Sequence, residues 1–253
     1  MRTLIIGFTL FFIVFKINAQ SRNEFIVKGI IDTLPHATYY VTYKAQGSKV
    51  SDTISLDDNC KFQYKGTILE PTIFHMTIKN SYNKNLTGDL YIYSFWVEPG
   101  KIIELRGHTG WLVMGARGLV SRSNKFDINN SVLDSIEKKY IKDWTQALEL
   151  KRKQLGRELT NAEAIQINYD LLDKYISREP NNYYGLYKIN QNTAGSIVDY
   201  DLFRKMYHNL SKALKETYLG KEIYSKIMAN ELTSIGKILP SFEQTDTASK
   251  IVK

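Results

Sequence analysis

The stretch "DLYIYSFWVEPGKIIELRG", residues 89–107, decides how the first half of this chain folds. It is rich in aromatic and β-branched residues on both sides of Pro99 and Gly100, which indicates two β-strands. Proline and glycine suit positions i+1 and i+2 of a type II turn, so we expect the two strands to be joined there.

The same pattern extends from residue 24 to about residue 114. The segments "EFIVKGII" and "ATYYVTYKA" have strand composition, and in "PTIFHMTIK" Phe74, Met76 and Ile78 alternate with polar residues. The segment "SLDDNCKFQYKG" is typical of a hairpin whose turn spans Asp57 to Lys61. Short strands with regular turns predict an antiparallel β-sandwich or partly open barrel over residues 20–122.

After about residue 124 the apolar residues recur with a helical period. The first helix carries an apolar stripe of Leu133, Ile136, Tyr140, Trp144, Leu148 and Leu155. A capping box in "TNAE", residues 160–163, predicts the start of a second helix, which Pro180 ends. A short helix follows in "NNYYGLYKINQ" with an asparagine as N-cap, then a fourth from Leu202 that closes at Gly220, and a fifth. Residues 123–233 are therefore expected to be all-helical, which makes the fold class α+β.

The first 19 residues predict a secretory signal peptide. Arg2 supplies the positive charge, Leu4 to Phe15 is an apolar run, and Ala19 ends a plausible cleavage site. The run is too short to cross a hydrocarbon core of ~30 Å at about 1.5 Å per residue. We therefore expect an exported protein with no stable membrane anchor after cleavage.

Charge patterning argues against nucleic acid as a partner. The formal net charge is +8, but acids and bases mix throughout the helical region, as in "IEKKYIKDW". Such mixing is typical of solvated helix faces, whereas a nucleic-acid surface gathers its basic residues on one face.

No catalytic, metal or cofactor motif is present. The four histidines, His36, His75, His108 and His208, lack the spacing of a metal site, and there is no nucleophile elbow, phosphate loop or dinucleotide fingerprint. The adjacent Asp57 and Asp58 are more typical of a turn than of calcium binding or acid–base work. Cys60 is the single cysteine, so a dithiol cycle is impossible within this chain. We therefore predict no enzymatic activity, no cofactor and no metal.

One strand carries candidate binding residues. Tyr91, Tyr93 and Trp96 could form a platform on which a glycan or peptide stacks. Sheet core and cross-strand packing are the alternative use of these aromatic residues.

Several segments resemble a known family. "FIVKGII", "SKVSDTISLDDNCKFQYKGTILEPTIFHMTI" and "FWVEPGKIIELRG" are similar to the domain of unknown function that precedes thioredoxin-like domains in envelope proteins of Bacteroidetes-type bacteria. "REPNNYYGLYKI" and "LFRKMYHNLSKALKETYLGKEIYSKI" resemble the helical linker of these proteins. In that family the turn usually reads Asp-x-Asn-Gly-x-Phe, so Cys60 stands where glycine is usual.

The last segment, "SIGKILPSFEQTDTASKIVK", residues 234–253, resembles the beginning of a TlpA-like redoxin domain, usually Val-Gly-Lys-x-Ala-Pro-x-Phe. Gly236, Lys237, Pro240 and Phe242 hold the matching places, and no Cys-x-x-Cys follows. The resemblance implies that this segment is the stub of an incomplete thioredoxin-like domain.

The resemblance also implies a location and a role. The protein would lie in the periplasm or cell envelope of a Gram-negative bacterium, as a non-catalytic accessory module of a thiol–disulfide oxidoreductase-like protein. It would position a redox domain or bind a partner, either a thioredoxin-like domain or another envelope protein. The alternative is a stand-alone envelope protein that binds glycan or peptide.

Overall fold

The computed structural model describes residues 22–31, 38–78, 90–108, 113–114, 120–121, 125–193, 199–233, 244–245 and 251–252. The predicted signal peptide lies outside these residues. Of the segment resembling a redoxin domain, two short paired strands are described, β11 (Gln244–Thr245) and β12 (Ile251–Val252). Among the helices described, none combines the length and the apolar character needed to cross a membrane.

The first half of the described chain is built from strands. They are β1 (Glu24–Ile31), β2 (Thr38–Ala45), β3 (Ser48–Ser55), β4 (Lys61–Thr67), β5 (Thr72–Ile78), β6 (Leu90–Val97), β7 (Ile102–His108), β8 (Val113–Met114), β9 (Val120–Ser121) and β10 (Lys125–Asn129). Strand β10 lies beyond residue 122, the predicted end of the β domain. Strand structure therefore continues into the stretch that was expected to be helical.

Two four-stranded sheets pack against each other. Sheet I has the strand order β10-β7-β1-β4, and sheet II has the order β3-β2-β5-β6. All pairs are antiparallel except β1 with β7, which run parallel. The sheets do not close into a barrel, so the structure confirms the α+β class with an antiparallel-rich two-sheet β region.

An aromatic cluster fills the space between the sheets. Phe74 of sheet II lies 5.9 Å from Phe25 and 5.4 Å from Tyr64 of sheet I, measured between ring centroids. Phe74 also contacts Tyr43 and Phe95, and all five rings are buried. Contacts of this kind contribute beyond the burial of apolar area alone.

The predicted hairpin at Asp57–Lys61 is wrong, although the turn itself exists. The Asp57 carboxylate accepts hydrogen bonds from the Asn59 and Lys61 N–H groups over 2.9 and 2.8 Å. Strand β3 before the turn belongs to sheet II, however, and β4 after it belongs to sheet I. Turn chemistry reverses the chain locally but does not choose the strand with which the next segment pairs.

The turn at Pro99-Gly100 is confirmed. Gly100 has φ +74°, as position i+2 of a type II turn requires, and the Lys101 N–H donates to the Glu98 carbonyl over 3.2 Å. This turn also links the two sheets, because β6 belongs to sheet II and β7 to sheet I.

Helices make up most of the second half. They are α1 (Val132–Leu155), α2 (Asn161–Arg178), α3 (Tyr183–Asn192), α4 (Tyr200–Asn209), α5 (Lys212–Lys215) and α6 (Tyr218–Thr233). The capping box of Thr160 and Glu163 is confirmed at the start of α2, and Asn182 caps α3 as predicted.

The prediction of one helix from Leu202 to Gly220 is wrong. Leu210 is extended, with ψ 151°, and the Ser211 hydroxyl begins α5 by accepting from the Leu214 N–H. The Thr217 hydroxyl then accepts from the Gly220 N–H over 3.0 Å, so Gly220 lies in the first turn of α6. Local side-chain caps interrupt a stretch whose apolar period is otherwise continuous.

Candidate functional site

The junction between sheet II and the helices centres on Trp96. Along β6 the side chains of Tyr93, Phe95 and Val97 enter the sandwich core, whereas Trp96 points from the opposite face into the helical core. It is 1% exposed, and its ring meets the ring of Tyr187 edge-on at a centroid distance of 4.7 Å. The Trp96 indole N–H donates to Glu137 Oε2 over 3.0 Å. One side chain of sheet II is therefore part of the core of the helical region.

The structure does not bring the predicted binding residues together as a platform. Tyr93 is fully buried in the sandwich, with its ring edge-on to Phe126 at 5.0 Å, and Trp96 lies on the other face of the strand. The side chain of Tyr91 lies outside the described residues. Both described rings are used in the packing that the sequence left as the alternative, and Trp96, although 1% exposed, also lines a cleft between sheet II and the helices.

Glu98 holds the first turn of α1. Its Oε1 accepts hydrogen bonds from the N–H groups of Val132 and Leu133, over 2.8 and 3.2 Å, and from the Ser131 hydroxyl over 3.2 Å. The first N–H groups of a helix have no partner within the helix, and a negative charge there is favoured by the helix dipole. A carboxylate of the sandwich therefore caps the helix that follows it.

Glu70 makes a similar contact with α6. Its Oε2 accepts from the Leu219 N–H over 3.4 Å. Burial raises the pKa of the Glu70 carboxyl, while hydrogen bonds from Leu219, Thr217 and Tyr218 oppose that rise. We call Glu70 and Glu98 the two clasp glutamates. The sequence analysis missed both, although each directly precedes a proline, which restricts its backbone to extended conformations.

A cleft of about 910 Å³ lies beside this junction. Strands β2 and β5 form its floor, helices α3 and α6 line its walls, and the β2–β3 turn at Gln46–Gly47 meets Tyr218 at one end. Pockets at the meeting of two structural units are common ligand sites. This cleft is therefore a candidate ligand site.

Residues 25–108 match the family model described as Domain of unknown function (DUF4369). The match runs from the second residue of β1 to the end of β7, so it covers sheet II, the two clasp glutamates and the floor of the cleft. It confirms the predicted N-terminal domain of unknown function, while the link to TlpA-like redoxin proteins stays a prediction. No curated protein matches the chain.

Cys60 lies within the stretch that matches the family model, in the turn before β4, and is half-buried. Its φ of +59° falls in the left-handed region that glycine adopts most easily. Its backbone is held on both sides, because the N–H donates to the Asp57 carbonyl and the carbonyl accepts from the Ile31 N–H, both over 2.9 Å. This conformation agrees with the resemblance, in which glycine usually occupies the position.

The histidines are placed separately where they are described. His75 is half-buried on the outer face of sheet II, with Nδ1 2.9 Å from the Ser94 hydroxyl, and burial lowers its pKa. His208 is exposed on α4. Within the described residues, no cluster of three or more histidine, cysteine or acidic side chains could hold a metal ion.

Asp134 gives the junction a pH dependence. It is 8% exposed, Oδ1 accepts from the Trp96 N–H over 3.4 Å, and among the described residues Oδ2 is buried without a hydrogen-bond partner. Burial raises the pKa of the carboxyl from its ordinary 3.8 to about 6. The protonated form is thus favoured in the folded protein, so this contribution to stability is present at low pH and is lost as the pH rises through about 6.

We predict that Asp134→Asn stabilises the protein above this pKa and has little effect well below it. The amide keeps an oxygen for the Trp96 N–H and removes the buried charge, so the gain in the free energy of unfolding should be about 1–2 kcal/mol after allowance for solvent screening. Urea denaturation of both proteins on either side of the pKa measures this gain. If the free energy of unfolding changed with pH in the same way in both proteins, the raised pKa of Asp134 would be contradicted.

Proposed function

We propose that this chain is a non-catalytic accessory module of an exported thiol–disulfide oxidoreductase-like protein. The sandwich and the helices act as one rigid support that positions a redox domain or binds a partner protein. The observation that carries this proposal is the junction itself, where Trp96 of sheet II and the two clasp glutamates next to its strands contact three helices.

Rigidity is what a positioning module needs. Glu98 binds the start of α1, and Glu70 binds the start of α6. The first and the last helix of the helical region are therefore both held next to sheet II. Helix α6 directly precedes residues 234–253, which resemble the beginning of a redoxin domain. A domain that follows α6 would therefore be attached to the support at a defined position.

The chemistry of thiol exchange supports a non-catalytic role. Exchange requires a thiolate that attacks a disulfide and a second thiol that resolves the mixed disulfide. Cys60 is the single cysteine of the chain, and it occupies a turn position suited to glycine. We therefore expect the thiol to be dispensable.

An insulin reduction assay with dithiothreitol tests this expectation. The protein should give no turnover above the reductant alone, and Cys60→Gly should behave identically. This variant is the appropriate control because glycine accepts the positive φ of the turn, so the thiol is removed without disturbing the backbone. Clear turnover that disappears in Cys60→Gly would overturn the proposal.

The alternative, a stand-alone envelope protein that binds a ligand, is compatible with the same rigid support. The feature that favours it is the cleft between sheet II and helices α3 and α6, to which the aromatic strand contributes Trp96.

A further inference from the structure

The floor of the cleft is a row of polar side chains on the outer face of sheet II. The strand register aligns Ser51 of β3, Thr42 of β2, His75 of β5 and Ser94 of β6 across the four strands. Thr42 and His75 lie within the cleft. Hydroxyl groups both donate and accept hydrogen bonds, as does a neutral imidazole, and burial lowers the pKa of His75, which favours its neutral form. The floor is therefore polar at Thr42 and His75, and neither side chain brings a charge to it.

The wall formed by α3 adds aromatic rings and amides. Tyr183 and Tyr187 are half-buried, and both line the cleft next to Asn190 and Gln191. The Tyr187 hydroxyl accepts from the Gln191 side-chain amide over 2.7 Å, which orients the two groups. Such rings provide apolar area with a polar tip. The side-chain oxygens of Asn190 and Gln191 already accept from Lys226 and Lys188, over 2.8 and 2.9 Å, so the amides contribute N–H donors.

The charges in the cleft disfavour an ionic ligand. Glu70 is engaged with the start of α6, and Glu222 forms an ion pair with Lys226 over 2.7 Å. An acidic ligand would be repelled by the carboxylates of Glu70 and Glu222. A cationic ligand would have to compete with the start of α6 and with Lys226, which these carboxylates already bind. Lys44 and Lys49 face each other across β2 and β3 at the exposed side of the cleft, which also repels cations.

The two common modes of peptide recognition do not fit the floor. Strand β2 is paired with β3 and β5, and β5 is paired with β2 and β6, so neither offers a free edge for an added strand. A helical peptide needs a continuous apolar groove, whereas Thr42, Thr72 and His75 interrupt the apolar lining that Ile73 and Trp96 provide.

We propose that this cleft binds a neutral oligosaccharide, with its hydroxyl groups on the Thr42 and His75 floor and a sugar ring against Tyr183 and Tyr187. The volume of about 910 Å³ lies within the range of ~300–1,000 Å³ that is usual for small-molecule sites and accommodates a few sugar units. This inference is independent of the redox assignment, because it concerns a face of the support that a following domain would not need.

Calorimetric titration of the full chain tests the proposal with a panel of neutral oligosaccharides built from glucose, mannose, galactose and N-acetylglucosamine. At least one should bind, and Thr42→Arg should weaken that binding by about tenfold or more, because the long side chain would fill the cleft from its floor. Thr53→Arg is the matched control. It places the same side chain on the same face of the neighbouring strand, at an exposed position outside the cleft, and should leave binding unchanged.

Gln191→Ala provides a second variant in case Thr42→Arg unfolds, since Gln191 is exposed and its loss removes surface hydrogen bonds with Tyr187 and Lys188. Thermal denaturation confirms that each variant is folded. The proposal is overturned if no neutral oligosaccharide binds the folded protein, if the cleft and control variants weaken binding equally, or if acidic saccharides or peptides bind at the cleft instead.

Discussion

Trp96→Ala is expected to lower the free energy of unfolding by about 3–5 kcal/mol, as is typical when a large buried aromatic side chain is truncated. Trp96 is a buried side chain of sheet II that lies in the helical core, next to Tyr183, Tyr184 and Tyr187. Its removal leaves a cavity at the junction and leaves Glu137 without its indole donor. Urea denaturation followed by circular dichroism measures the loss.

Trp144→Ala is the matched control for this variant. Trp144 lies in α1, is half-buried and belongs to neither of the two cores, so the same truncation should cost clearly less. Equal losses in the two variants would mean that Trp96 has no special role at the junction.

Glu98→Ala is expected to cost about 2 kcal/mol, within the range measured for lost helix caps and for hydrogen bonds to charged groups. The substitution leaves the Val132 and Leu133 N–H groups and the Ser131 hydroxyl without this acceptor. It also removes the negative charge from the positive end of α1. Urea denaturation at constant pH measures the effect.

Two further variants separate the cap from general electrostatics. Glu98→Gln keeps one acceptor oxygen and should lose less than Glu98→Ala. Glu104→Ala removes an exposed carboxylate, which pairs with Lys28 over 3.1 Å, and should cost less than about 1 kcal/mol. If Glu98→Ala were no worse than Glu104→Ala, Glu98 would not be a cap that matters for stability.

The local elements of this fold can be predicted from the sequence because their causes are local. The alternation around Phe74, the capping box of Thr160 and Glu163, and the turn at Gly100 each depend on residues within a few positions. Sheet membership depends on distant partners, and so the hairpin predicted at Asp57–Lys61 became a connection between two sheets.

The direction of Trp96 could have been inferred in part. Phe95, Trp96 and Val97 are buried in succession, and a continuous apolar run indicates a strand covered on both faces. The run does not tell which face carries the helices, because the aromatic partners of Trp96 lie in α3, far along the chain.

The clasp glutamates illustrate the same limit. The Glu-Pro pairs at positions 70 and 98 are visible in the sequence, but the helix starts that they hold lie 149 and 34 residues away. Nothing local pairs Glu70 with Leu219. The floor of the cleft was also missed, since the row from Ser51 to Ser94 exists only once the strand register is known.

The central claim is that the sandwich and the helical region form one rigid support, and a distance distribution between two spin labels tests it most directly. Labels at Gln63 on sheet I and Lys174 on α2, both exposed, would be attached to cysteines introduced in the Cys60→Gly background. We predict one narrow distribution, which Trp96→Ala broadens. A broad or two-peaked distribution with Trp96 in place would contradict the account.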